Sequence, residues 1–266
     1  MSLSKAKNKH LQALKLKKFR EELGLFTVEG EKIAAELLLS KSTEIDEIFA
    51  LESWITENQR ALWPHQTKII AVSEAELKQI SNLTTPNKVL IVARKLTPPD
   101  IFGTSPYDDV LLQKSFSFYL DGIQDPGNLG TILRIADWFS IPYVFCSPTT
   151  VDVFNPKVIQ ASMGAFLRVQ TLEVDFDSLK KRYPELPVFA AILRGHNIFE
   201  TVAQKDFPRR GIVIIGNEGK GISDDLIEKA DFKITIPGGG GAESLNAAVS
   251  TGILAAVLTN GTLIKI

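Results

Sequence analysis

Apolar residues recur along this chain in two rhythms. From about Lys18 to Lys95, short apolar runs alternate with segments of helical spacing. FTVEG (Phe26 to Gly30) predicts a strand and turn, and EKIAAELLLS a helix. EIDEIFAL then predicts a strand, TENQRALW a helix, TKIIAVS a strand, EAELKQISNL a helix and KVLIVARK a closing strand. Strands alternating with helices in this way predict a small α/β domain. LTPPDIFGTSPYDDV, from Leu96 to Val110, gathers prolines and turn formers and predicts a linker. The expected division is residues 1–97, a linker at 98–111, and a second domain over 112–266.

The second domain has the stronger rhythm. FSFYL, YVFC, FLRVQTL, PVFAAIL, GIVIIG and FKITIP are strand candidates. NLGTILRIADWF, NPKVIQASMG, FDSLKKRY, SDDLIEKA and ESLNAAVSTGILAAVL are the helices expected between and after them. Continuous apolar strands predict a mostly parallel sheet with helices on both faces. In such sheets, ligands bind beyond the carboxyl ends of the strands.

Three strand-end loops therefore hold the candidate chemistry. LDGIQDPGNLGTILRIADWF, Leu120 to Phe139, turns through Asp125, Pro126 and Gly127. It enters a helix at about Asn128, a good capping residue, with Arg134 in the first turns. A capped helix with a solvated arginine is the plainer alternative. IVIIGNEGKGIS, Ile212 to Ser223, runs an apolar strand into three glycines around Glu218; an ordinary strand-to-helix turn would read the same way. IPGGGGAESLNAAVSTG, Ile236 to Gly252, places four glycines before a small-residue helix, which Glu243, Ser244 and Asn246 are expected to begin.

Composition adds exclusions. One cysteine, Cys146, rules out an internal disulfide framework and fits a reducing cytoplasm. Three scattered histidines and no CxxC or HExxH argue against a metal centre. No apolar run approaches the roughly 18–20 residues of a membrane span, and lysines interrupt the leucines that a signal peptide would need. A cytoplasmic location is the expectation. Net charge is −1, yet Lys5, Lys7, Lys9, Lys15, Lys17, Lys18 and Arg20 precede the first acidic residue. That segment is either a solvated helix start or a phosphate-neutralising patch.

Familiar nucleotide motifs fail on spacing. A GxGxxG fingerprint started at Gly238 or Gly239 puts its third glycine at Glu243 or Ser244. Gly219-Lys220 is followed by Gly221 rather than Ser or Thr, and Ile214 stands where a P-loop needs its first glycine. No GxSxG nucleophile elbow is present.

Taken together and in order, DPGNLGTILRIA, GNEGKGIS and IPGGGGAESLNAAVS resemble the motifs of the SpoU/TrmH family of RNA ribose 2′-O-methyltransferases. Ser162, Gly164 and Ala165 match the family's intervening S-G-A element. One departure is Gly238, where the family often has methionine after the proline. KKFREELGLFTVEGEKIAAELL and SNLTTPNKVLIVARK are similar to the N-terminal substrate-binding domain of some members, a small α/β fold shared with RNA-binding ribosomal proteins.

The resemblance implies a trefoil knot in the C-terminal domain, S-adenosylmethionine bound there, and a homodimer with its active site near the interface. It also implies RNA as partner, ribosomal rather than transfer RNA. A non-catalytic RNA-binding assembly factor with the same fold is the rival. Arg134 matches the catalytic arginine, with Asn128, Glu218, Ser244 and Asn246 around it and Glu218 expected as its ion partner. Backbone at Gly216, Asn217, Gly219, Ile236 and Leu245 matches the cofactor positions. Lys9, Lys15, Lys17, Lys18 and Arg20 are the candidate RNA contacts. Arginine stays protonated in proteins, so Arg134 is expected to stabilise a forming alkoxide rather than to remove its proton.

Overall fold

The structure is a computed structural model that describes residues 3–40, 43–96 and 112–259. The expected linker, 98–111, lies outside the described residues. The chain divides into two compact units, Met1–Thr97 with Asp152–Leu167, and Pro98–Val151 with Arg168–Ile266. The division is not sequential, because a stretch inside the second half of the chain belongs to the first unit.

In the first unit, strands β1 (Leu25–Glu29), β2 (Ile45–Ala50), β3 (Ile69–Ala71) and β4 (Val89–Arg94) form a sheet in the order β1-β4-β2-β3. β4 runs antiparallel to both neighbours, and β2 pairs with β3 in parallel. Leu11, Leu14, Phe49, Leu77, Leu90 and Val92 form a core on this sheet, each burial contributing about 1.5–3 kcal/mol relative to exposure. TENQRALW, expected as one helix, forms two, Glu52–Glu57 and Gln59–Leu62. Between them the Asn58 side chain donates to Trp54 O at 2.8 Å, a local bond of the kind that competes with a continuous helix.

Asp152–Leu167 completes this unit. Phe26 of β1 packs against Phe154 and Phe166, with ring centroids 4.9 and 5.8 Å away. Arg20 is only 1% exposed. Its Nε and Nη2 donate to Asp152 Oδ2 at 2.9 and 2.7 Å, and its Nη1 donates to the carbonyls of Leu14 and Lys15, both at 2.8 Å. A buried guanidinium needs this full set of acceptors to offset its lost hydration.

In the second unit, β5 (Phe116–Asp121), β6 (Tyr143–Cys146), β7 (Gln170–Glu173), β8 (Val188–Asn197), β9 (Gly211–Gly216) and β10 (Phe232–Thr235) form a sheet in the order β10-β8-β9-β5-β6-β7. Every pairing is parallel, as the continuous apolar runs predict. FLRVQTL is only partly strand: Ala165–Leu167 is a 3-10 turn, and β7 begins at Gln170. Tyr119, Phe145, Leu179, Val188, Ile212 and Ile214 lie in the core.

From β5 the chain proceeds outward to β6 and β7, then crosses to β8 on the far side of the sheet and comes back to β9 beside β5. The order reverses between β5 and β9, and at such a switch the loops leaving adjacent strands part to leave a crevice.

Candidate active site

The crevice beyond β5 and β9 is built from the three loops. After β5, Asp125 caps the helix Pro126–Trp138: its side chain accepts from Asn128 N at 2.8 Å, and Pro126 takes a first-turn position needing no donor. The expected cap, Asn128, is therefore inside the helix. Asp125 Oδ1 takes the Asn128 amide, and Asn128, as the third residue of that helix, does not serve as its cap. This releases the Asn128 side chain for the crevice.

Asn128 uses that freedom in both directions. Its Nδ2 donates to Glu218 Oε1 at 2.8 Å, and its Oδ1 accepts from Asn246 Nδ2 at 2.9 Å. Asn246 is in turn the cap of the helix Ala247–Leu258, its Oδ1 accepting from Ala248 N and Val249 N. The last helix thus starts after Asn246, with Glu243 and Ser244 preceding it rather than opening it. Asn246, Asn128 and Glu218 form one chain of hydrogen bonds spanning the three loops.

Arg134 is exposed on the Pro126–Trp138 helix, and among the described residues it makes no hydrogen bond or ion pair. The ion pair expected between Glu218 and Arg134 is absent among the described residues, where the Glu218 carboxylate instead accepts from Asn128. Ser244 and Leu245 are exposed, Ile236 is half-buried, and Gly219 is exposed in its loop.

The loop after β9 is tightly tied. Gly216 has no room for a side chain: a Cβ there would meet the carbonyl carbon of Gly221 at 2.3 Å. By contrast, a Cβ at Gly238, Gly239, Gly240 or Gly241 would meet nothing within 4 Å. Internal packing explains the first glycine and not the run of four.

The sheet order adds a strand end that the motifs did not single out. β8 lies between β10 and β9, so its carboxyl end stands between two ends already holding candidate cofactor positions. Leu193, in β8 beyond the part paired with β9, is 72% exposed, and its carbonyl accepts from Thr235 Oγ1 at 3.2 Å. PVFAAIL reads as a strand in the sequence, but its neighbours are a property of topology.

Two titratable groups in the sheet are strongly displaced. Burial pushes the Cys146 thiol up to about 12, with Glu173 adding to the shift. Burial also raises the Tyr119 phenol, aided by Asp121. Both stay protonated near neutrality, so neither supplies a nucleophile or base there. Among the described residues, no three His, Cys, Asp or Glu side chains converge as metal ligands, and no helix is long and apolar enough to cross a membrane.

The candidate RNA contacts separate. Lys9, Lys15, Lys17 and Lys18 are exposed, with Lys15 Nζ donating to Ser81 O and Lys17 lying 3.5 Å from Glu21. Arg20 does not belong with them. It is buried against Asp152, with its guanidinium committed to protein acceptors.

A parallel sheet with polar residues from three loops meeting at its switch point is an arrangement at which α/β folds bind ligands. Residues 115–256 match the SpoU rRNA Methylase family, and residues 5–91 match the MRM3-like substrate binding domain. The chain belongs to the SpoU rRNA methylase family. It is 28% identical over 257 residues to the 23S rRNA (guanosine(2553)-2′-O)-methyltransferase RlmP of Bacillus subtilis, covering 95% of this chain and 96% of that one. A solved TrmH-family structure from Porphyromonas gingivalis is 34% identical, with a TM-score of 0.81 and coverage of 97% of this chain and 98% of that one. The AdoMet-bound rRNA methyltransferase of Sinorhizobium meliloti, 24% identical, shares the fold, with a TM-score of 0.81 over 99% and 98% of the two chains.

Proposed function

We propose that this protein transfers a methyl group from S-adenosylmethionine to a ribose 2′-hydroxyl of ribosomal RNA. The observation that carries the reading is the Asn246–Asn128–Glu218 chain of hydrogen bonds, which joins the three family motifs at the switch of the sheet. The open strand ends suit the cofactor: Leu193 and Leu245 offer apolar surface, and the half-buried backbone around Gly216 and Ile236 offers polar groups. When bound, S-adenosylmethionine supplies an activated methyl group and its leaving group.

The chain supplies position and charge. Asn128, held from both sides, presents a fixed amide beside the crevice. Arg134 is free to donate to the ribose oxygen or its phosphate and to stabilise the negative charge that grows as the hydroxyl loses its proton. The proton leaves to phosphate or water, because a guanidinium does not accept it. Ser244 and Asn246 border the same loop.

The homodimer belongs to this reading. Trp138, 81% exposed on the helix that carries Arg134, and Val249, 52% exposed on the last helix, offer apolar surface for a second copy. The trefoil knot is likewise taken from the family, and a cytoplasmic location fits the single cysteine. Light scattering of the purified protein tests the dimer.

The deciding experiment maps 2′-O-methylation in RNA from cells with and without the gene, followed by transfer of labelled methyl groups to the mapped RNA in vitro. Loss of one ribosomal RNA methylation in the deletion supports the proposal. A missing mark on transfer RNA would redirect it, and no calorimetric affinity for S-adenosylmethionine would overturn it in favour of an RNA-binding assembly factor.

A further inference from the structure

Family resemblance put Asn217 among the cofactor contacts, but its side chain is turned to other work. Asn217 Oδ1 accepts from Gly219 N at 2.9 Å and from Lys220 N at 3.0 Å. Its Nδ2 donates to Gly122 O at 2.7 Å, across the sheet switch on the loop after β5. Its backbone pairs with Gly221, N to O and O to N, both at 2.9 Å. One residue therefore closes the loop on itself and fastens it to the neighbouring strand end. A second fastener lies at the far end of the same loop, where Ser223 N donates to Asp121 Oδ2 at 2.8 Å.

Glu218 sits inside this frame. It is exposed, and the bond it accepts from Asn128 comes from the first turn of the helix that follows the loop to which Asn217 is fastened. An exposed carboxylate on a loose five-residue turn would sample many positions, and holding it opposite one amide needs a fixed backbone. We propose that Asn217 is a positioning residue for the transfer reaction: by bonding Gly122 O it sets the distance between the loops after β5 and β9, and so holds Glu218 against Asn128. This inference rests on the methyl-transfer reading, and it assigns Asn217 to the internal frame of the site rather than to the cofactor.

Asn217→Asp tests it. The aspartate keeps the acceptor for Gly219 N and Lys220 N but sets an oxygen against Gly122 O, opening only the bond between loops. The expected result is a fall in kcat of about tenfold or more, with KM for RNA and Kd for S-adenosylmethionine within about threefold of wild type. Because Asn217 acts through Glu218, Asn217→Asp added to Glu218→Gln should cost little beyond Glu218→Gln alone. Independent multiplication of the two effects would overturn the proposal, as would a rise in cofactor Kd matching the fall in kcat. Backbone hydrogen exchange over residues 217–222 provides an arm free of activity. It should quicken in Asn217→Asp and stay unchanged in Glu218→Gln; unchanged exchange in Asn217→Asp sinks the positioning role. A wild-type protein that methylates no RNA sinks the proposed function instead.

Discussion

Asn128 donates to Glu218 at 2.8 Å across ninety positions of sequence. The donor is an amide and the acceptor a carboxylate, so reversing one partner reverses the sign of the contact. Asn128→Asp would set two carboxylates together, whereas Asn128→Ala removes this bond and the one accepted from Asn246. Methyl transfer to RNA should fall by roughly a hundredfold in the alanine variant and further in the aspartate variant. Steady-state turnover of both checks the order, and equal activities would detach Asn128 from the chemistry.

Arg134 has no partner among the described residues and lies exposed. Arg134→Lys should therefore leave the thermal midpoint nearly unchanged while turnover drops by about a hundredfold, because an ammonium cannot reproduce the planar fork. Turnover near that of wild type refutes the role.

Arg20 and Asp152 give the opposite expectation. The Arg20 side chain is 2% exposed and that of Asp152 9%, and removing one strands the other's charge. Asp152→Ala should destabilise the first unit by about 3–5 kcal/mol, read as a lower denaturant midpoint, with cofactor affinity retained by folded protein. If Arg20→Ala instead weakens RNA binding without lowering stability, Arg20 is a phosphate contact after all.

The exposed lysines carry a salt signature. Replacing Lys9, Lys17 and Lys18 with alanine should weaken RNA binding and flatten the plot of log affinity against log salt by about 2. Titration at several salt concentrations measures it. An unchanged slope leaves these lysines as a solvated helix face.

Cys146 is the chain's one thiol and is buried. A disulfide reagent at pH 8 should label it only on unfolding. Its folded value of about 12 lies above the ordinary thiol value of about 9. The folded state thus holds the proton more tightly, and this contribution to stability is complete below about pH 9 and declines as pH rises towards 12. Chemical denaturation of Cys146→Ala at pH 8 and pH 10.5 should show a smaller loss of stability with pH than wild type.

The sequence made the strands legible because continuous apolar runs such as GIVIIG and YVFC can be satisfied only by burial on both faces. The three loops were legible because Asn, Glu and Gly cluster where those runs stop. What escaped depended on distance. Asp125 and Asn128 are both capping types, and only the fold decides which one begins the helix. Arg20 looks like any other cation in a basic stretch, since its partner stands 132 residues away. β8 was visible as a strand, but its place between β9 and β10 follows from a crossover that local pattern does not encode.

The membership of Asp152–Leu167 in the first unit has a consequence for the order of events during synthesis. Domains ordinarily fold as they emerge, the N-terminal one first, at about 5–20 residues per second. Here Arg20 must wait for Asp152, and Phe26 for Phe154 and Phe166. The nascent first unit therefore remains incomplete for about 3–14 seconds after Thr97 is made, until β5 and β6 of the second unit have already been made. The part made first is the part finished late.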